Sequence, residues 1–222
     1  MTPEMNDIFD ATPRLFFDIE TKANRQALHF MQEPSAPSNY KDPVKIAAYI
    51  EEKKAEQVDK AALDPDFGSI VAIGYRSVEG IGKSGETKVL VAETPEQERE
   101  IIQEFWKIYD EHHGFSGGYN IIGFDFPYLL RRSMDLNVVV PTLPNLSRYN
   151  NYMSLDLMQI LYGGSGFKSL KFVVDRYGID NPLPDLDGSK VSDMDTETLK
   201  AYCANDVDMT VALYELMDGV YF

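Results

Sequence analysis

Apolar and polar positions change period several times along the chain, and those changes divide it into strands and helices. Arg14–Ile19 is an apolar run rich in β-formers and reads as a strand. A polar, proline-containing stretch (Thr21–Lys41) leads into a helix from Pro43 to about Leu63, with proline at its start. Its apolar residues Ile46, Ala47, Ile50 and Val58 give only a partial stripe, so the helix is expected to pack at the periphery. After a turn at Asp64–Gly68, Ser69–Tyr75 and Thr87–Val91 read as strands joined by a turn containing Gly80, Gly82 and Gly85. Thr94 and Pro95 followed by Glu96–Glu98 mark a helix start, and the helix runs to about His113 with Ile101, Ile102, Phe105 and Ile108 inward. Phe115–Ile122 is a further strand, followed by a helix over about Pro127–Asp135. A loop at Pro141–Asn151, short helices near Leu155–Leu161 and Ser169–Tyr177, and a loop at Asn181–Ser189 come next. A last helix spans Thr196–Met217. Strands first, then strands and helices in alternation, imply a mixed α/β sheet. No internal repeat is present.

At 222 residues the chain fits one domain, residues 1–222, with room for an appendage. The single cysteine, Cys203, rules out an internal disulfide and a multi-cysteine zinc site, and fits a reducing cytoplasm. No apolar run approaches about 18 residues, and Met1–Phe9 lacks the basic head of a secretory signal. A soluble, cytoplasmic protein without a membrane association is therefore expected. The net charge of −15 argues against a general nucleic-acid coat protein. It does not argue against a metal-dependent nuclease, in which carboxylates hold cations and the cations meet phosphates. Arg131, Arg132, Arg148, Lys168, Lys171 and Arg176 are candidates for a local phosphate track; the alternative is a scattered solvated surface.

Four carboxylates, at three places along the chain, break the apolar pattern. Asp18 and Glu20 interrupt Leu15-Phe16-Phe17-Asp18-Ile19-Glu20, a run suited to an interior strand. Residues i and i+2 share a strand face, so both carboxylates project the same way, roughly 6–7 Å apart. Two like charges so placed are costly unless a cation neutralises them, and a divalent ion with oxygen ligands does so. The alternative is a strand end already in solvent. On the last helix, Asp206 falls within the apolar stripe Leu199, Tyr202, Asp206, Met209, Leu213, Leu216, one turn after Tyr202. A structural hydrogen bond between the acid and the phenol is the alternative there. Asp125 lies between aromatics where a strand gives way to a helix, and a helix N-cap is its alternative role.

Together these motifs resemble the DnaQ-like 3′–5′ exonucleases on the ribonuclease H-like fold, and among them the exonuclease domain of B-family DNA polymerases and its free-standing relatives. The resemblance rests on Phe17-Asp18-Ile19-Glu20-Thr21, on Asn120 with Phe124-Asp125 and Tyr128-Leu129, and on Tyr202-Cys203-Ala204-Asn205-Asp206 with Thr210. These follow the family's order over about 190 of the 222 residues. None of His29, His112 and His113 is near Asp206 in sequence, so Tyr202 places the chain in the tyrosine (DEDDy) branch.

The resemblance implies an α/β, ribonuclease H-like mixed sheet flanked by helices, and an enzyme that removes 5′-mononucleotides from the 3′ ends of single-stranded DNA. It implies two Mg²⁺ or Mn²⁺ ions held by Asp18, Glu20, Asp125 and Asp206, with Asp18 bridging both. Glu20 and Asp206 complete the ion that activates the attacking water, and Asp125 holds the second. Tyr202 orients that water, since a phenol with pKa near 10 does not serve as a base at neutral pH. Asn120 and Phe124 are candidates for contacting the terminal nucleotides, with core packing the alternative for Phe124. Asp156 sits where the family often has Asp, as a support behind the ions or a helix cap. The Gly163–Gly166 loop lacks the Gly-Lys-Ser/Thr ending of a P-loop.

Two departures stand out. About 45 residues (Ala23–Phe67) separate the first two strands where many relatives have a tight hairpin. This insertion begins beside Glu20, as a lid or guide for the 3′ end or as a peripheral arm. No polymerase domain follows the third motif, so proofreading would need a polymerase or repair partner. An RNA 3′-end exonuclease and a non-catalytic nucleic-acid-binding module are the rival readings, and the presence of all four carboxylates with Tyr202 argues against the second.

Overall fold

The computed structural model describes residues 12–221 except 81, 148–151 and 164–165. Its centre is a mixed sheet built on a long antiparallel pair, β1 (Arg14–Ala23) with β2 (Gly68–Gly80). Short strands β3 (Lys83–Ser84) and β4 (Lys88–Val91) pair with β2 on its far side. Beyond β1, the three-residue strands β5 (Ser116–Gly118) and β6 (Ser154–Asp156) continue the sheet in parallel.

Alternation along β1 assigns each face its cover. Leu15, Phe17 and Ile19 join Ile73 in a core closed by α2 (Pro95–Glu111) and α3 (Asp125–Asp135). Phe17 meets Phe105 and Phe126 at ring distances of 4.9 and 5.0 Å. Phe16 faces the other way, into a core formed with α6 (Thr196–Tyr221) through Val207, Val211 and Leu213. Asp18 and Glu20 share the parity of Phe16 and so face α6. Helix α2 starts from a full capping box, Thr94 with Gln97. It is bolted to α3 by a buried bidentate ion pair: Arg132 Nε and Nη2 donate to Glu98 at 2.8 and 3.0 Å, and Glu98 Oε1 also accepts the Ile70 N–H.

Between β1 and β2 the chain forms the 3₁₀ turn Leu28–Phe30, then α1 (Pro43–Lys60) and the 3₁₀ turn Ala61–Leu63. As expected, α1 is peripheral, with none of its described side chains buried. Among the described residues no helix is long and apolar enough to cross a membrane.

Several sequence expectations are corrected. The strand expected over Phe115–Ile122 stops at Gly118, because the Asp156 carboxylate accepts the N–H groups of Asn120 and Ile122, both at 3.0 Å. Asn120 then takes a left-handed φ of 65° and residues 121–124 form a turn. Leu155 and Asp156, expected at the start of a helix, belong to strand β6; α4 (Leu157–Tyr162) begins only after the Asp156 cap, and α5 (Leu170–Tyr177) follows it. The last helix runs four residues further than expected, to Tyr221. Leu216 is exposed and Met217 takes its place in the core.

Candidate active site

β1 and α6 can bring their carboxylates together because α6 lies on the sheet over a glycine of the neighbouring strand, β2. Gly74 of β2 lies opposite Asp18, and a Cβ there would come within 3.0 Å of Cys203 O and Sγ and 2.9 Å of Val207. The absence of a side chain at Gly74 lets the helix backbone lie directly on the sheet beside Asp18. The ladder register then slips by a bulge between Glu20 and Thr21, at the end of the acidic pair.

Among the described residues, Asp18, Glu20 and Cys203 bring potential ligand atoms together, their carboxylate oxygens and Sγ lying within 4.8 Å of one another. Asp18 is partly accessible, whereas Glu20 and Cys203 are buried. Asp206 stands beside them, half-buried, with Tyr202 hydrogen-bonded to its carboxylate. Its Oδ1 is buried and has no hydrogen-bond partner. Asp125, 2% exposed, approaches from the first turn of α3. Its Oδ1 accepts the Ile19 N–H at 3.1 Å, a donor freed because β5 pairs with β1 only at Leu15 and Phe16. The N-cap reading of Asp125 is therefore corrected: Phe124 holds that position, without a side-chain cap bond.

The electrostatics are those of crowded, desolvated acids. Burial, then the charges of Asp125, Glu20 and Asp206, hold the Asp18 carboxyl well above the usual range. Burial, then Asp206 and Asp125, does the same to Glu20. Asp125 is pushed up to about 8, mainly by burial, with the Ile19 N–H opposing. Asp206 reaches about 6, where burial outweighs the Tyr202 hydrogen bond and the Lys171 charge. Burial and the same acids push the Tyr202 phenol far up, so its hydroxyl is a donor throughout the physiological range. Such a set, with an orphaned carboxylate oxygen at its centre, fits a hard divalent cation, which would supply the missing partner and offset the repulsion.

Of the two expected nucleotide contacts, Phe124 packs half-buried against the core and the Tyr128 ring, 5.4 Å away, which is the packing alternative. Asn120 is partly exposed on the turn that Asp156 holds. Asp156 is a brace and a helix cap: fully buried, it accepts three N–H groups, from Asn120, Ile122 and Gln159.

The expected basic track is only partly available. Arg132 is consumed by Glu98, Arg131 pairs with Asp66, and Arg148 lies outside the described residues. Lys171 places its charge where it acts on Asp206, with Nζ 6.0 Å from the Tyr202 ring centre and bonded to the Leu186 carbonyl. Sequence reasoning did not place the Cys203 thiol among the acids. The available signal was its position three residues before Asp206, on the same side of α6.

A mixed sheet with helices on both faces, carrying acids from its central strand and from the helix laid across it, defines the ribonuclease H-like class. Within that class, the chain belongs to the family described as DNA polymerase family B, exonuclease domain, which it matches over residues 2–172. That family is one of metal-dependent 3′–5′ exonucleases, and the chain is an enzyme of this kind. The match stops short of Tyr202 and Asp206, which the fold supplies. Among solved structures, the chain is similar to the family B DNA polymerase of the hyperthermophilic archaeon Pyrobaculum calidifontis. The TM-score is 0.58 at 23% identity, over 93% of this chain and 24% of the polymerase, a likeness of fold. No curated protein matches the sequence.

Proposed function

We propose that the chain is a single exonuclease domain with an inserted segment at residues 23–67, acting on single-stranded DNA 3′ ends by a two-metal-ion mechanism and releasing 5′-mononucleotides. The observation that carries this reading is the buried, unpartnered Asp206 Oδ1 beside Asp18 and Glu20, whose pKa values burial and then the charges of neighbouring acids raise. Asp18 and Glu20, Asp206 and Asp125 would hold Mg²⁺ or Mn²⁺, which supplies charge neutralisation at the scissile phosphate and activates the attacking water. Asp125, already anchored to the Ile19 N–H, keeps its carboxylate at a fixed place beside β1. Tyr202, protonated, would turn its single O–H from Asp206 to the attacking water once an ion takes up that carboxylate, and so align the water. Cys203, with its thiol held protonated by burial, fills the floor of the site. Proofreading would draw on a polymerase, in a partner or in a longer chain.

The test uses single-stranded DNA and RNA labelled at either end, with Mg²⁺, Mn²⁺ or EDTA. Early release of mononucleotides from a 3′ label, abolished by EDTA, is expected. Release first from the 5′ label, or activity untouched by EDTA, would overturn the reading, and faster RNA hydrolysis would move the substrate to RNA.

A further inference from the structure

A cleft of about 1020 Å³ opens directly beyond the acidic pair. Its wall begins at Thr21, the residue after Glu20, and includes Gly188, where an added Cβ would lie 4.0 Å from the Tyr202 hydroxyl. The cleft therefore borders the candidate active site, although none of the four acids lines it. Its far end is made by the insertion, through Arg25 and the Ala61–Leu63 turn. This size is at the upper end of ordinary ligand pockets, about 300–1,000 Å³.

The inserted wall is fixed in place. The Ala62 carbonyl accepts two hydrogen bonds, from Thr21 Oγ1 at 2.6 Å and from the Tyr128 hydroxyl at 3.0 Å. Thr21 follows Glu20 at the β1 bulge, and Tyr128 lies one helical turn after Asp125. A single carbonyl of the insertion thus ties the cleft to β1 and α3, two of the three elements that carry the acids. The expectation of a lid, guide or peripheral arm resolves into two parts: α1 is peripheral, while the returning turn forms part of the cleft.

The charges in the cleft favour an anion. Glu98 lines it but is neutralised by Arg132. Glu93 remains, with the Thr196 hydroxyl donating to it. Against it stand Lys22 and Arg25, neither of which makes an ion pair among the described residues. In a chain of net charge −15, two free cations beside a cluster of acids form a local site for phosphates that the acids themselves repel.

We propose that this cleft seats the nucleotides of single-stranded DNA that lie immediately behind the 3′-terminal one, with Lys22 and Arg25 contacting their phosphates. This rests on the exonuclease reading above. The insertion then makes the enzyme prefer strands long enough to enter the cleft over the shortest substrates.

Fluorescence anisotropy of labelled dT10 on the full chain, with Ca²⁺ replacing Mn²⁺ to slow turnover, tests this against ionic strength. The double variant Lys22→Ala/Arg25→Ala should bind dT10 roughly tenfold more weakly. The slope of log affinity against log salt should fall by about 1.4, from two lost phosphate contacts at about 0.7 each. The advantage of dT10 over a dinucleotide in kcat/KM should shrink by a similar factor, while the Mn²⁺ dependence of turnover stays that of the parent. Lys83→Ala/Lys88→Ala, a pair of exposed lysines outside the cleft, controls for net charge. A parent that hydrolyses dT10 while the cleft variant binds no more weakly than the control overturns the cleft alone. A parent that neither binds nor hydrolyses dT10 overturns the exonuclease reading and the cleft with it.

Discussion

Replacing Asp206 with Asn should stabilise the metal-free protein while removing its activity. Asp206 has its carboxyl raised from 3.8 to about 6 by burial, against the Tyr202 hydrogen bond and the Lys171 charge. At 1.36 kcal/mol for each pH unit, maintaining that group costs the fold about 3 kcal/mol once both folded and unfolded chains would be ionised. The sign follows from proton binding. Below about pH 4 both states hold the proton and the cost is absent. As pH rises from there to about 6 the unfolded chain releases its proton first, so stability falls, and above 6 the full cost is present. Asparagine removes this charge cost but still needs hydrogen bonds in place of water, and the site is only half-buried, so the net gain should be about 1–2 kcal/mol. For a chain of this size that is roughly 2–8 °C in melting temperature. Melts in EDTA at pH 7.5 and pH 4 read it directly: Asp206→Asn above the parent at the first pH, level with it at the second. Added Mn²⁺ should raise the parent's melting temperature more than the variant's, since only the parent keeps the full ligand set. A variant that melts below the parent at pH 7.5 in EDTA, or that gains as much from Mn²⁺, would refute the electrostatic account of the site.

Tyr202→Phe keeps the ring on its helix and loses one orienting hydrogen bond, so single-turnover cleavage should slow about tenfold to a hundredfold, less than for Asp206→Ala. Parental speed would make Tyr202 a packing residue. Gly74→Ala places a methyl within 3.0 Å of Cys203 and Val207, so α6 must shift. A loss of about 1–3 kcal/mol in urea melts, with weakened Mn²⁺ binding, is expected. Unchanged metal affinity would show that the helix–strand contact does not set the site. Arg132→Ala leaves Glu98 buried without its partner and should cost about 3–5 kcal/mol in the same melts, and a cost under about 1 kcal/mol would contradict the burial of that pair.

Much of the site was legible in the sequence because its residues violate local pattern. Acids at Asp18 and Glu20 inside an apolar strand, and at Asp206 within an apolar helical stripe, are conspicuous against period-two and period-3.6 backgrounds. Asp125 was less distinct, since an acid at a strand–helix junction has a common capping role. Its partner, the Ile19 N–H, is set by where β5 stops pairing with β1. That stop depends in turn on Asp156, 36 residues beyond Asn120 in sequence, capturing the Asn120 N–H. Such long-range capture of backbone donors leaves no local periodic signal, which is why the strand over residues 115–122 read too long. Arg132 likewise read as a free surface cation, because its buried partner Glu98 lies on another helix. The contact of Ala62 with Thr21 and Tyr128 was equally invisible, since backbone carbonyls carry no sequence.

The central claim is that Asp18, Glu20, Asp125 and Asp206 together hold two ions. Anomalous diffraction from crystals grown with Mn²⁺ and dTMP measures this directly. The account predicts two manganese peaks about 3.5–4 Å apart, both touching Asp18, one completed by Glu20 and Asp206 and the other on the Asp125 side. Manganese absent from these carboxylates, or two ions bound without Asp206, would contradict it.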